Sequence, residues 1–193
     1  MAIVEAPHMH KKFSDYLNEL PNEQLSSLLE RKYNFLREGL ELNALKELME
    51  ILEERGPSLG LPQYYGKMRA VLFEEYVFLY ILKHLRGEFR AQWRPRLQLL
   101  KEFEVKPDIC VFKGNEVCAI IECKVELDAS RLKVALGDYL ILSRLLNLKN
   151  FILVYYKVEL SKGLLDLGRS LITGIMPIDE FVKQRVLQKL LLH

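Results

Sequence analysis

Apolar residues recur at helical spacing through the first third of the chain. Phe13, Tyr16, Leu17 and Leu20 form one stripe, which Pro21 ends. Leu25, Leu28, Leu29, Tyr33 and Leu36 form a second, broken near Gly39. Leu42, Leu45, Leu48, Met49 and Leu52 form a third, closed by Gly56-Pro57. Stripes of this kind pack helices against one another. Residues 55–66 carry three Gly and two Pro and read as a linker. A helical region over residues 1–60 is therefore expected ahead of a separate core over 67–193.

Beyond residue 67 the periodicity changes. A strongly apolar helix is expected over 67–86, with Val71, Phe73, Val77, Phe78, Ile81 and Leu85 inside it. A first strand is expected within 94–103. Residues 107–113 and 116–126 alternate or run apolar, with Gly114-Asn115 between them as turn residues. A helix over 130–146 has Ser130 or Asp128 to cap it. Residues 151–156, Phe-Ile-Leu-Val-Tyr-Tyr, read as a buried strand. An amphipathic helix over 177–192 closes the chain, with Asp179 near its start and Phe181, Val182, Val186, Leu187 and Leu190 on its apolar side. This order predicts an α/β fold, a sheet covered by helices on both faces.

Composition narrows the class. With 193 residues, half of them hydrophobic, the chain can bury a real core and is not a disordered segment. No apolar run reaches the roughly 18 residues of a membrane span, and residues 1–12 lack the apolar stretch of a secretory signal. Cys110, Cys118 and Cys123 are an odd number without a CxxC pair, which suggests neither a disulfide framework nor a zinc knuckle. A soluble, cytoplasmic protein is expected, without membrane association. The formal net charge of +2 does not announce a polyanion partner, but bases gather at Lys83, Arg86, Arg90, Arg94, Arg96 and Lys101, and again at Lys124, Arg131 and Lys133. A local positive face of that kind would suffice to hold nucleic acid.

The chemistry concentrates in Lys106-Pro107-Asp108-Ile109 and Glu122-Cys123-Lys124. Glu122 and Lys124 interrupt an apolar run, Val117-Cys118-Ala119-Ile120-Ile121, where an unpaired charge would cost several kcal/mol. On a strand both fall on one face, so they could be an internal ion pair. If Asp108 faces Glu122 on the adjoining strand, the two carboxylates could instead hold a hard divalent cation. Register decides between these. A regular two-residue hairpin at Gly114-Asn115 would set Asp108 opposite Ile121 and turn the carboxylates to opposite faces. A shared site requires an odd-length loop or a bulge, with Gly114 or Asn115 at positive φ.

Pro107-Asp108 followed by Glu122-Cys123-Lys124 resembles the PD-(D/E)XK motif of the restriction-endonuclease-like nuclease superfamily. A glutamate-bearing helix ahead of the first strand, Phe73-Glu74-Glu75-Tyr76-Val77, fits the same pattern. The resemblance covers about residues 67–160. It implies a restriction-endonuclease-like core, a small mixed β-sheet flanked by helices with the active site at one edge, here behind an N-terminal helical extension. It further implies Asp108 and Glu122 as metal ligands, Lys124 as the catalytic lysine and the Cys123 backbone carbonyl as a further ligand. Glu74 would be the helix carboxylate, directly or through water. Glu75 is the alternative, and Glu74 is preferred because Val77, Phe78 and Ile81 lie near its face. The implied activity is that of a Mg²⁺-dependent deoxyribonuclease, with Mn²⁺ able to substitute. It would be structure-selective in the manner of a Holliday junction resolvase, or of restriction or repair type. The helix after Lys124 offers Gly137, Asp138 and Tyr139 where relatives often place glutamine or a basic residue, so the subfamily stays open.

Outside the motif, Arg94, Arg96, Arg131, Lys133 and Lys67 are the candidate contacts to DNA, with Trp93, Tyr64 and Tyr65 as aromatic neighbours. His84 reads as an ordinary surface histidine, and His8 and His10 have no third metal ligand near them in sequence. The cysteines read as small core hydrophobes. The final helix could pair with a second copy of the chain, a homodimer suited to cutting two strands, or pack on its own sheet. The competing reading of the whole is a non-catalytic nucleic-acid-binding or assembly module, with the leucine-rich helices as its interface.

Overall fold

The computed structural model describes residues 3–4, 11–56, 62–148, 150–172 and 174–183. They fall into two compact units that divide between Tyr80 and Ile81. The expected division at residues 60–67 is therefore displaced into a helix.

The first unit is helical. It comprises α1 (Phe13–Leu17), α2 (Glu23–Gly39), α3 (Leu42–Arg55) and α4 (Pro62–His84) up to Tyr80. The three leucine stripes form the buried faces of α1, α2 and α3, as their spacing predicts. Asn22 starts α2 by accepting a 2.9 Å hydrogen bond from the Leu25 N–H. Leu40, in the left-handed region at φ 56°, ends it. The helix expected from residue 67 begins earlier, at Pro62, so Tyr64 and Tyr65 are helical rather than part of a linker. Proline at a first helical position forfeits no hydrogen bond, which is why Pro62 opens the helix instead of breaking it. From Val71 to Val77 every side chain of α4 is buried, Glu74 and Glu75 included.

The second unit is a mixed α/β sheet flanked by helices. Its strands are β1 (Ile3–Val4), β2 (Phe89–Trp93), β3 (Arg96–Leu100), β4 (Phe103–Val105), β5 (Ile109–Lys113), β6 (Glu116–Leu127), β7 (Asn150–Val158) and β8 (Gly174–Pro177). Its helices are α5 (Ala129–Leu146), α6 (Lys162–Leu171) and α7 (Ile178–Lys183). The main sheet runs β2-β5-β6-β7-β8, antiparallel from β2 to β6 and parallel from β6 to β8. Helices α5 and α6 are the two crossovers that parallel pairing demands. Strands β1, β3 and β4 make a separate antiparallel sheet.

Alternation along the strands divides the core between two faces. Cys110, Phe112, Ile120, Phe151, Leu153 and Tyr155 pack with Leu132, Ala135 and Leu142 of α5. Ile109, Val111, Ala119, Ile121, Ile152 and Val154 are buried on the other face. Each such aliphatic or aromatic side chain contributes about 1.5–3 kcal/mol by leaving water. Burial on both faces explains why residues 151–155 read as one continuous apolar run.

Two parts of the pattern differ from expectation. The strand anticipated within 94–103 is two strands, preceded by the unanticipated edge strand β2. Arg94 adopts φ 49° and Pro95 has no N–H to offer a ladder, so the chain turns there from one sheet into the other. Helix α6, capped by Ser161, and strand β8 are further additions. The final helix begins at Ile178 and buries Phe181. Val186, Leu187 and Leu190 lie outside the described residues, as do His8 and His10. Among the described residues no helix is long and apolar enough to cross a membrane.

Candidate functional site

The β5–β6 hairpin determines where the charged residues point. Its loop is the two-residue Gly114-Asn115, since Lys113 pairs with Glu116. Gly114 stands at φ 58°, the first loop position where a turn of this length favours glycine. That loop alone would separate the carboxylates. The register then shifts: Phe112 pairs with Val117 but Val111 with Ala119, which leaves Cys118 as an extra residue in β6. The bulge is anchored at both ends. The Cys118 thiol donates to the Val111 carbonyl at 3.2 Å, and the Asn150 side-chain amide donates to the Cys118 carbonyl at 3.3 Å.

Beyond the bulge, Cys110 pairs with Ile120 and Ile109 with Ile121, so the next step sets Asp108 opposite Glu122. Both carboxylates and Lys124 then share the face that carries α5. The Lys124 ammonium lies 2.9 Å from Glu122 Oε2 and 3.6 Å from Asp108 Oδ2. Asp108 is fixed from two sides. Its Oδ2 accepts the Cys123 N–H at 2.8 Å, and its carbonyl accepts the Arg94 N–H at 2.7 Å. The main-chain group that Cys123 turns toward Asp108 is thus its N–H rather than its carbonyl.

Burial makes this cluster electrostatically tense. The Glu122 side chain is only 11% exposed. Burial raises its pKa to about 8, the neighbouring Asp108 charge adds to the rise, and the Lys124 ammonium offsets part of it. Burial alone would lower the Lys124 pKa, but Asp108 and Glu122 together more than reverse this, so the lysine is held as an ammonium above its ordinary value. Burial also pushes the Cys110 thiol well up, which keeps it an inert core hydrophobe.

One member of the cluster is absent from the sequence-based set. Asp138, on α5, is half-buried, and burial raises its pKa while Lys124 pulls it back. Its position between buried Ala135 and Leu142, at i+3 and i−4, was the available signal.

The remaining candidates are distributed differently. Arg94 lies beside Asp108 through its main chain, its guanidinium 5.3 Å from the centre of the Trp93 ring. Arg96 belongs to the small sheet, its Nε buried without a hydrogen-bond partner among the described residues. Arg131 turns to the acids at its own helix start, 2.8 Å from Asp128 and 3.6 Å from Glu126. Lys133 and Lys67 are exposed, on α5 and α4. His84 is half-buried in the last turn of α4. Glu74 and Glu75 belong to the helical unit. There the Glu75 carboxylate accepts the Tyr33 hydroxyl at 2.6 Å and the Phe13 N–H at 3.2 Å, ties that explain its burial.

Asp108 and Glu122 suit a hard divalent cation, because two carboxylates converge on a space where a cation, the Lys124 ammonium, already sits. Among the described residues no group of three or more His, Cys, Asp and Glu side chains assembles to hold a metal. With two carboxylates at hand, an ion here would complete its shell with water, the habit of Mg²⁺. No protein-family model matches the chain, and a search of curated proteins finds no match either.

Proposed function

We propose that the chain is a Mg²⁺-dependent nuclease that hydrolyses phosphodiester bonds in DNA, on a core of the PD-(D/E)XK type. What supports the reading is the bulge at Cys118, because it is the feature that turns Asp108, Glu122 and Lys124 onto one face despite an even-length loop. A strand needs no such bulge to carry an ordinary surface ion pair.

In this reading Asp108 and Glu122 hold the cation. When bound, Mg²⁺ supplies positive charge opposite the negative charge that builds on the phosphate. Lys124 acts as a hydrogen-bond donor to the attacking water or the phosphate, not as a base, because its neighbours keep it protonated. Arg94, tied to Asp108 through its main chain, is a candidate for a flanking phosphate. Structure-selective action, on branched DNA or ends, is the form of this activity that the substrate panel below would reveal.

The competing reading has its own observation. Lys124 already contacts both carboxylates, which is what a non-catalytic nucleic-acid-binding or assembly module would retain as an internal ion-pair cluster. The two separate on a panel of supercoiled, linear, single-stranded and four-way-junction DNA, with Mg²⁺, Mn²⁺ or EDTA, beside Asp108→Ala and Lys124→Ala. Metal-dependent cleavage lost in both variants is the expected result. Binding without cleavage under every metal would instead establish the module.

A further inference from the structure

Strand β6 and helix α5 run back to back. Nine residues of helix from Ala129 to Asp138 rise roughly 13.5 Å, which is about four strand residues back from Leu127 and level with Cys123-Lys124. Asp138 shares its helix face with Ala135 and Leu142, which pack on the same side of the sheet that carries Glu122 and Lys124. It is half-buried and within electrostatic reach of Lys124 and Asp108, yet the ion-pair partners of Lys124 are Asp108 and Glu122. A third carboxylate thus stands level with the ammonium on the same side of the sheet, outside its ion pairs.

We infer that Asp138 is a positioning residue that receives the Lys124 ammonium when a divalent cation takes the space between Asp108 and Glu122. The inference rests on the metal-binding reading above. Both ions cannot occupy one space, because like charges about 4 Å apart repel strongly inside a protein. Cation binding therefore requires Lys124 to move or to gain a further counter-charge. Asp138 offers that charge from α5, outside the Asp108–Glu122 pair, and it keeps the lysine charged and close to where a phosphate would lie. The cation itself stays with Asp108 and Glu122.

The test is Mn²⁺ affinity, measured calorimetrically on the full chain, in a double-mutant cycle of Asp138→Asn and Lys124→Met. Asp138→Asn is expected to weaken Mn²⁺ binding roughly tenfold in the wild-type background, the effect of leaving the displaced ammonium without its counter-charge. It should do nothing when Lys124 is already methionine, because it acts through that lysine. Asp138→Glu should restore most of the affinity, and a thermal melt without metal shows that each variant is folded. Loss of affinity of equal size in both backgrounds would make Asp138 a direct contributor and overturn the positioning role. Unchanged affinity in Asp138→Asn, with binding still abolished by Asp108→Asn, would overturn the inference and leave the metal site standing. No Mn²⁺ binding to the wild-type chain at all would remove both.

Discussion

Replacing Glu122 by glutamine isolates a carboxyl whose charge burial and Asp108 both disfavour. Between its ordinary pKa of 4.5 and its value in the fold, about 8, the folded chain holds a proton that the unfolded chain has lost. A state that binds more protons is weakened as pH rises, so metal-free stability should fall through this window. The slope is at most about 1.4 kcal/mol per pH unit, and the whole fall is roughly 5 kcal/mol, levelling off above pH 8. Lys124 works in the same direction but in another pH range: with its pKa raised above 10.5, its stabilisation is complete below that value and is lost only as pH rises beyond it. Glutamine keeps the shape and a hydrogen-bond acceptor for Lys124 but has no proton to exchange. Urea unfolding in EDTA at half-unit steps from pH 5 to pH 8.5, wild type beside Glu122→Gln, measures the difference. All other groups are common to both proteins and cancel. The gap should move in favour of the variant by several kcal/mol as pH rises. A difference that stays flat, or that moves in favour of the wild type, would refute the claim that burial and Asp108 outweigh Lys124. Mg²⁺ should act oppositely, because only the ionised carboxylate can hold it. Its affinity for the wild type should grow about tenfold per pH unit up to pH 8, and Glu122→Gln should lack that dependence.

Two further predictions concern the helical unit. Tyr33→Phe removes the 2.6 Å donor to buried Glu75 and should cost about 2 kcal/mol in urea unfolding, since the carboxylate keeps only the Phe13 N–H; Glu75→Gln added to Tyr33→Phe should recover part of it. Gly56→Ala should cost about 1–3 kcal/mol by the same measurement, because a Cβ there would lie 2.8 Å from Tyr65 Cβ and 2.6 Å from the Leu52 carbonyl oxygen.

What the sequence by itself determined is what local periodicity can carry. The stripes at Leu25–Leu36 and Leu42–Leu52 recur every three or four residues, and no strand could bury them on one face. The run at 151–155 is apolar on every residue, which a strand covered on both faces requires. The Asp108 and Glu122–Lys124 pattern was legible because charges inside apolar strands are costly enough to need a reason. Even the need for an irregularity between them followed from counting residues around Gly114-Asn115.

The tertiary structure decided everything that depends on partners distant in the chain. Whether the odd residue sat in the loop or in the strand was settled at Cys118, because the bulge there finds its hydrogen bonds in Val111 and, 32 residues on, Asn150. Glu75 could not be told from Glu74 by helical phase alone; Tyr33 and Phe13, from other helices, supply the donors that tie it into the helical unit. Strand β2 escaped notice because an edge strand is paired on one side and half-exposed, so Phe89–Trp93 need not alternate. Asp138 joined the site only when the rise of α5 brought it level with Lys124. Periodicity records which face of an element is buried, while a site is made by the elements that meet across that face, and their meeting is fixed by packing.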